Sequence, residues 1–106
     1  MAERVIRYIR KLSGEESQRR FIIVKHESLK LFPPVNSPFQ ISINGKNVET
    51  AVKLVQVWNQ GAKRPNFDYH IDLSKFSDLY RPAFKSRITL TRNDQDVYEL
   101  SMDSLR

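Results

Sequence analysis

The stretch that decides the fold is YHIDLSKFSDLYRPAFKSRITLTRNDQDVYELSM, residues 69–102. It opens with a short alternating strand, Tyr69, Ile71 and Leu73 facing one way. A one-to-two-turn helical segment over 74–80 follows, with Ser74 placed to cap it through its hydroxyl. A turn over 81–86 then leads into a hairpin, 87–92 and 97–102. Ile88 and Leu90 alternate with Arg87, Thr89 and Thr91, and the polar run Asn93-Asp94-Gln95-Asp96 between the arms supplies turn chemistry. Strand, short helix, turn and hairpin form the unit.

Upstream, Phe39, Ile41 and Ile43 alternate with Gln40 and Ser42, and Asn44-Gly45 follows at once. Both residues tolerate positive φ, which a tight hairpin turn demands at its central positions. The return strand is expected over about 47–58, the Leu54-Val55 doublet breaking strict alternation and marking a bulge or bend. Long bent strands suit a small barrel. Phe21-Ile22-Ile23-Val24 reads as the centre of a strand over 19–25, and Leu29, Leu31 and Phe32 resume an alternating pattern until Pro33-Pro34 ends it. Ser13-x-x-Glu16 spells a capping box, but the β-branched run behind it favours a polar connector over 13–18. Val5, Ile9 and Leu12 at helical spacing, with Arg4, Arg7 and Lys11 opposite, predict an amphipathic helix over 2–12.

The unit over 69–102, with Ile71-Asp72-Leu73-Ser74, Arg87-Ile88-Thr89-Leu90-Thr91 and Val97-Tyr98-Glu99-Leu100, resembles that of small DNA-binding barrels. These are the swapped-hairpin transcription regulators and the DNA-binding pseudobarrel domains of plant transcription factors and some restriction enzymes. Leu31-Phe32-Pro33-Pro34 ahead of Phe39 to Lys46 is similar to the pseudobarrel pattern of a Phe-Pro step before a Gly-containing hairpin. Phe84-Lys85-Ser86 stands where those families usually carry Gly-Asp at the turn. The resemblance implies a DNA-binding role.

The expected architecture is therefore one mostly β (α+β) domain over 1–106: a small barrel or half-barrel of about six to seven antiparallel-rich strands. It carries an N-terminal helix and one short internal helix. At 106 residues there is room for one core. The chain has no cysteine, which excludes disulfides and thiolate chemistry. No apolar run reaches the roughly 20 residues of a membrane span, so a cytoplasmic, soluble protein without membrane contact is expected.

Net charge is +6, and its distribution is uneven. Residues 1–30 hold eight Lys/Arg against four Asp/Glu, and residues 61–92 seven against three, whereas residues 93–106 hold one against four. A phosphate-bearing partner is drawn to the two basic blocks. The loop Asn59-Gln60-Gly61-Ala62-Lys63-Arg64-Pro65-Asn66 sets cations and amides between Trp58 and Phe67, a composition suited to phosphates, base edges and exposed bases. Trp58 itself is expected in the core. The candidate nucleic-acid contacts are Arg19 and Arg20, then Asn59, Gln60, Lys63, Arg64 and Asn66, then Arg81, Lys85 and Arg87. DNA stands ahead of RNA on the resemblance alone.

Catalytic chemistry is thin. Asp68, His70 and Asp72 would share one strand face and form an acid-base or ion-binding trio, against the plainer reading of a solvent face on an edge strand. No cofactor, metal site or catalytic residue is expected. Two rival readings stand beside nucleic-acid binding: a protein-interaction module or homodimeric small subunit pairing through an exposed hairpin edge, with the acidic tail of Asp94, Asp96, Glu99 and Asp103 facing a basic patch on its copy, and a small basic nuclease.

Overall fold

The computed structural model describes residues 6–58, 61 and 63–103. Eight strands and one α-helix follow in the order β1 (Arg7–Lys11), α1 (Gly14–Arg19), β2 (Phe21–Val24), β3 (Phe39–Ile43), β4 (Lys46–Thr50), β5 (Val52–Val57), β6 (Asn66–Asp72), β7 (Arg87–Arg92) and β8 (Val97–Asp103). Two 3-10 turns interrupt them, His26–Leu31 and Ser74–Phe76. One sheet runs β1-β7-β8-β3-β4 and the other β2-β6-β5. They face each other without closing, giving a half-barrel, and the single parallel pairing among the described strands is β3 with β8.

The two hairpins form as their turn residues dictate. Asn44 and Gly45 take φ of 52° and 82°, the doubly positive pair a tight two-residue turn requires. At the β7–β8 turn, Asn93 Oδ1 accepts from the amides of Gln95 and Val97, at 2.8 and 3.1 Å, while Asp96 takes positive φ. Between the sheets, Ile22, Ile41, Val52, Ile71, Leu73 and Ile88 are fully buried. At one end Phe32 stacks on Tyr98 with ring centroids 5.1 Å apart and meets Tyr8 edge-on at 5.5 Å.

The beginning of the chain departs from expectation. Residues 7–11 are a strand, not part of a helix: Tyr8 and Leu12 point into the core, while Ile9 is 56% exposed. The helical spacing of Val5, Ile9 and Leu12 loses to pairing with β7, in which Tyr8 lies opposite Leu90 and Arg10 opposite Ile88. The helix sits instead where a connector was expected, because the capping box is real. Ser13 Oγ accepts from the Glu16 amide at 3.2 Å and Glu16 Oε2 accepts from the Ser13 amide at 2.8 Å. Arg20 ends the helix in the left-handed region at φ 60°, confining the strand expected from residue 19 to Phe21–Val24.

Other boundaries shift for local reasons. His26–Leu31 is a 3-10 turn, not a continuation of alternating strand. The return arm of the 39–58 hairpin bends at buried Ala51, not at Leu54-Val55, and β5 crosses into the second sheet to pair with β6. Ser74 is not the cap of the short helix: Asp72 Oδ1 accepts from the Ser74 amide at 2.9 Å, and helical geometry covers only Ser74–Phe76.

One side chain ties these pieces together. Glu16 is fully buried and its carboxylate accepts from Arg10 Nε at 2.7 Å, Arg10 Nη2 at 3.0 Å, the Ser13 amide and, at 2.8 Å, the Ile23 amide. Tyr8 adds a second tie: its hydroxyl donates to the Ile23 carbonyl at 2.8 Å and accepts from the Lys25 amide. The outward edge of β2 is thus satisfied by side chains from the other sheet and from the helix cap. Burial alone raises the Glu16 carboxyl, yet the Arg10 and backbone hydrogen bonds, with the Arg10 charge, outweigh it and hold the group below its ordinary value. Stability from this group is therefore complete above the ordinary carboxylate range and is lost as pH falls through the depressed folded value. Glu16→Gln, which leaves a half-buried Arg10 without its counter-ion, is expected to cost about 3 kcal/mol in denaturant unfolding at neutral pH. The deficit shrinks in acid, and equal losses at pH 7 and pH 3 would contradict this role.

Candidate nucleic-acid interface

The second sheet turns an open face outward between α1 and the β5–β6 connection. Antiparallel register places Phe21 opposite Asp72, Ile23 and Lys53 opposite His70, and Val57 opposite Asn66. Odd positions on β2 and β5 therefore share a face with even positions on β6. Along that face runs a groove of about 560 Å³, lined from Glu15 and Arg19 on α1, across Phe21, Lys53 and His70, to Val57 and Trp58. Phe21, His70 and Val55 make its floor, Glu15 stands with Arg19 on α1, Asp72 and Lys53 line the middle, and Trp58 stands at the far end.

Phe21 and His70 form the floor, stacked nearly parallel with centroids 4.2 Å apart. The His70 side chain is only 13% exposed, and its Nε2 is buried without a hydrogen-bond partner among the described residues. Desolvation lowers its pKa, against opposite pulls from Asp68, Glu16, Glu15 and Asp72, so the ring is neutral at physiological pH. Asp68 Oδ2 lies 3.9 Å from Nε2, beyond hydrogen-bond reach. The expected Asp68-His70-Asp72 face exists, but on a central strand and not an edge: Phe21 covers His70, while Asp72 is exposed and Asp68 partly so. Among the described residues no three His, Asp or Glu converge to hold a metal.

The candidate cations fall into two groups. At one end of the groove, Arg19 is exposed on α1 and Arg20 follows at its cap, with its carbonyl accepting from the Leu73 amide and its Nε buried and unpaired among the described residues. The 81–87 segment packs against the same helix. Ser17 Oγ accepts from the Lys85 amide at 2.9 Å, the Ser86 carbonyl accepts from the Leu12 amide at 2.8 Å, and the Phe84 ring lies over Gly14. These bonds bring Lys85 beside α1, and the β1–β7 ladder sets exposed Arg87 opposite exposed Lys11. Lys85 Nζ sits 5.5 Å above the Phe84 ring, itself 62% exposed. Arg81, also exposed, donates from Nε to the Ser77 carbonyl.

At the other end, Lys63 and Arg64 are exposed in the β5–β6 connection and Asn66 at the start of β6. Asn59 and Gln60 lie outside the described residues. Trp58, expected in the core, is 61% exposed at the lip of the groove, because β5 runs past the end of the core before turning. Sequence reasoning passed over Lys53, Phe21 and His70 as groove residues. The signal for Lys53 and His70 was present in the alternation of residues 53, 55 and 57 against 68, 70 and 72, but only the pairing of β5 with β6 joins them.

No protein-family model matches the chain, and no curated protein matches it in sequence. Solved structures do. The chain is similar to the Arabidopsis FUS3-DNA complex, with a TM-score of 0.67 at 11% identity over 97% of this chain and all of that one. It is also similar to the N-terminal domain of Helicobacter pylori LlaJI.R1, with a TM-score of 0.58 at 16% identity over 93% of this chain and 88% of that one. The chain shares its fold with these two structures, in line with the resemblance to small DNA-binding barrels drawn from residues 69–102 and 31–46.

Proposed function

We propose that this chain is a non-catalytic DNA-binding domain whose ligand lies in the groove between α1 and the β5–β6 connection. What supports the reading is a groove lined by Arg19 and Lys53 beside the carboxylates of Glu15 and Asp72, with Lys63 and Arg64 exposed in the connection that follows Trp58, on a fold shared with a protein solved bound to DNA. Duplex DNA offers two phosphate rows that a cation pair of this kind can grip from both sides, and phosphate contacts of this type dominate affinity. Lys85, held beside α1 by Ser17, adds a further cation near that helix. Exposed Trp58, with Asn66 nearby, supplies an aromatic plane and an amide for base edges or sugars. The apolar floor and the neutral ring of His70 suit a close, partly dehydrated approach.

The test is a titration followed by Trp58 fluorescence, using a mixed-sequence duplex of about two helical turns. Affinity is expected to fall by about tenfold or more between 50 and 200 mM salt. Arg19→Glu, and Lys63→Glu with Arg64→Glu, are each expected to weaken binding by about tenfold and to flatten that salt dependence. A duplex affinity indifferent to both charge reversals would overturn the assignment of the groove.

A second reading rests on Leu54 and Phe67, exposed by 51% and 58% and on one face of the β5–β6 pair by register. They favour a homodimer through the free edge of β5. Light scattering at about 100 μM would then give twice the monomer mass for the native chain and the monomer mass for Leu54→Glu. A monomer for both rejects it.

A further inference from the structure

We propose that the free edge of β1 is a docking site for an extended acidic segment of a partner protein, added to the five-stranded sheet as a sixth strand. The site is independent of the DNA groove, which lies on the other sheet.

The first observation is the ladder. β1 is the outermost strand of its sheet and, among the described residues, pairs with β7 alone. The amide of Leu12 donates to Ser86 and the carbonyl of Ile6 accepts from Arg92. Antiparallel bonding alternates along a strand, so Ile6, Tyr8, Arg10 and Leu12 turn their backbone groups to β7, whereas Arg7, Ile9 and Lys11 turn theirs outward. Among the described residues nothing bonds those outward groups. The free edge of β2 is different: Tyr8 and Glu16 occupy its backbone groups at Ile23 and Lys25. Side chains block the β2 edge and leave the β1 edge open.

The second observation is the wall facing that edge. An open cleft of about 510 Å³ runs the full length of β1, bounded on its far side by Lys25, Ser28 and Leu31. Its described lining holds four cations, Arg7, Arg10, Lys11 and Lys25, and no carboxylate. Arg10 is committed to Glu16, which leaves Arg7, Lys11 and Lys25, all exposed. Ile9, exposed by 56%, stands between Arg7 and Lys11 on the same side of the strand.

Together these define the occupant. A row of alternating outward N–H and C=O groups is complementary to another backbone, and main-chain bonding of this kind supplies affinity while the side chains select the sequence. A phosphodiester chain offers acceptors alone, so the outward carbonyls of Arg7, Ile9 and Lys11 disfavour nucleic acid here. Cations on either side of a central isoleucine, all on one face, select carboxylates flanking an apolar residue on the matching face of the added strand, as in an extended segment with Asp or Glu at i and i+4 and Val or Leu at i+2.

Amide hydrogen exchange by NMR tests this, using the uniformly ¹⁵N-labelled chain and, as the probe, a blocked heptapeptide with Glu at its second and sixth positions, Val at its fourth and Thr elsewhere. Controls are the same peptide with Lys for Glu, the acidic peptide N-methylated along its pairing edge, and a short DNA duplex. The expected result is slowing of exchange at Arg7, Ile9 and Lys11 by about tenfold with the acidic peptide alone. Ile9→Pro removes only an outward donor, a change edge strands accept, and is expected to abolish the effect with the β7 ladder amides still protected. Arg7→Glu with Lys11→Glu is expected to move the preference to the lysine peptide. Absence of protection at millimolar acidic peptide, equal protection by the N-methylated or lysine peptide, or protection of these three amides by the duplex would overturn the proposal.

Discussion

A buried carboxylate organises this half-barrel. Glu16 belongs to a helix of only six residues, too short to stand on its own propensity, and the acid holds it by closing the capping box. The same two oxygens reach Arg10 on the first sheet and the Ile23 amide on the second. Replacing water around a carboxylate costs several kcal/mol, and only near-complete hydrogen bonding offsets it. Here donors from β1, the cap and β2 meet that requirement at once. The consequence for function is positional: Arg19, three residues on, is set at the end of the groove, and Ser17 fixes the turn that carries Lys85.

The second constraint is the crossing at Ala51. A continuous return strand would have extended the first sheet and left β6 without its outer neighbour. By bending there, β5 pairs with β6 for its whole length and carries Trp58 beyond the core. The long β5–β6 pair then projects as one wall of the groove and α1 stands as the other. The sheets make the core; α1 and the β5–β6 connection carry Arg19, Lys63 and Arg64, while exposed Lys53 stands on β5 itself.

Much of this was legible in the residues, and the failures share a cause. The β3–β4 and β7–β8 hairpins announced themselves because Asn44-Gly45 and Asn93 carry local turn chemistry. The half-barrel and its likeness to DNA-binding pseudobarrels followed from the order of elements over 69–102. The helix was misplaced by one element. Ser13 and Glu16 spelled its box, but the apolar periodicity of Val5, Ile9 and Leu12 was weighed more heavily than the inward pair Tyr8 and Leu12. That pair makes sense only opposite β7, some eighty residues away. The groove was half legible: its cations could be picked from the charge blocks, whereas Phe21, Lys53 and His70 meet only through the β2-β6-β5 pairing. Trp58 was expected inside because large aromatics usually are, and the overrun of β5 lies beyond what composition conveys.

The most direct test of the central claim is a map of amide and indole chemical shifts on adding a DNA duplex to the labelled chain. The account predicts changes at Arg19, Phe21, Lys53 and His70 and at the Trp58 indole, continuing into Lys63, Arg64 and Lys85, with the β3–β4 hairpin unmoved. Changes confined to that hairpin, or spread evenly over every exposed cation with Phe21 and His70 silent, would contradict it.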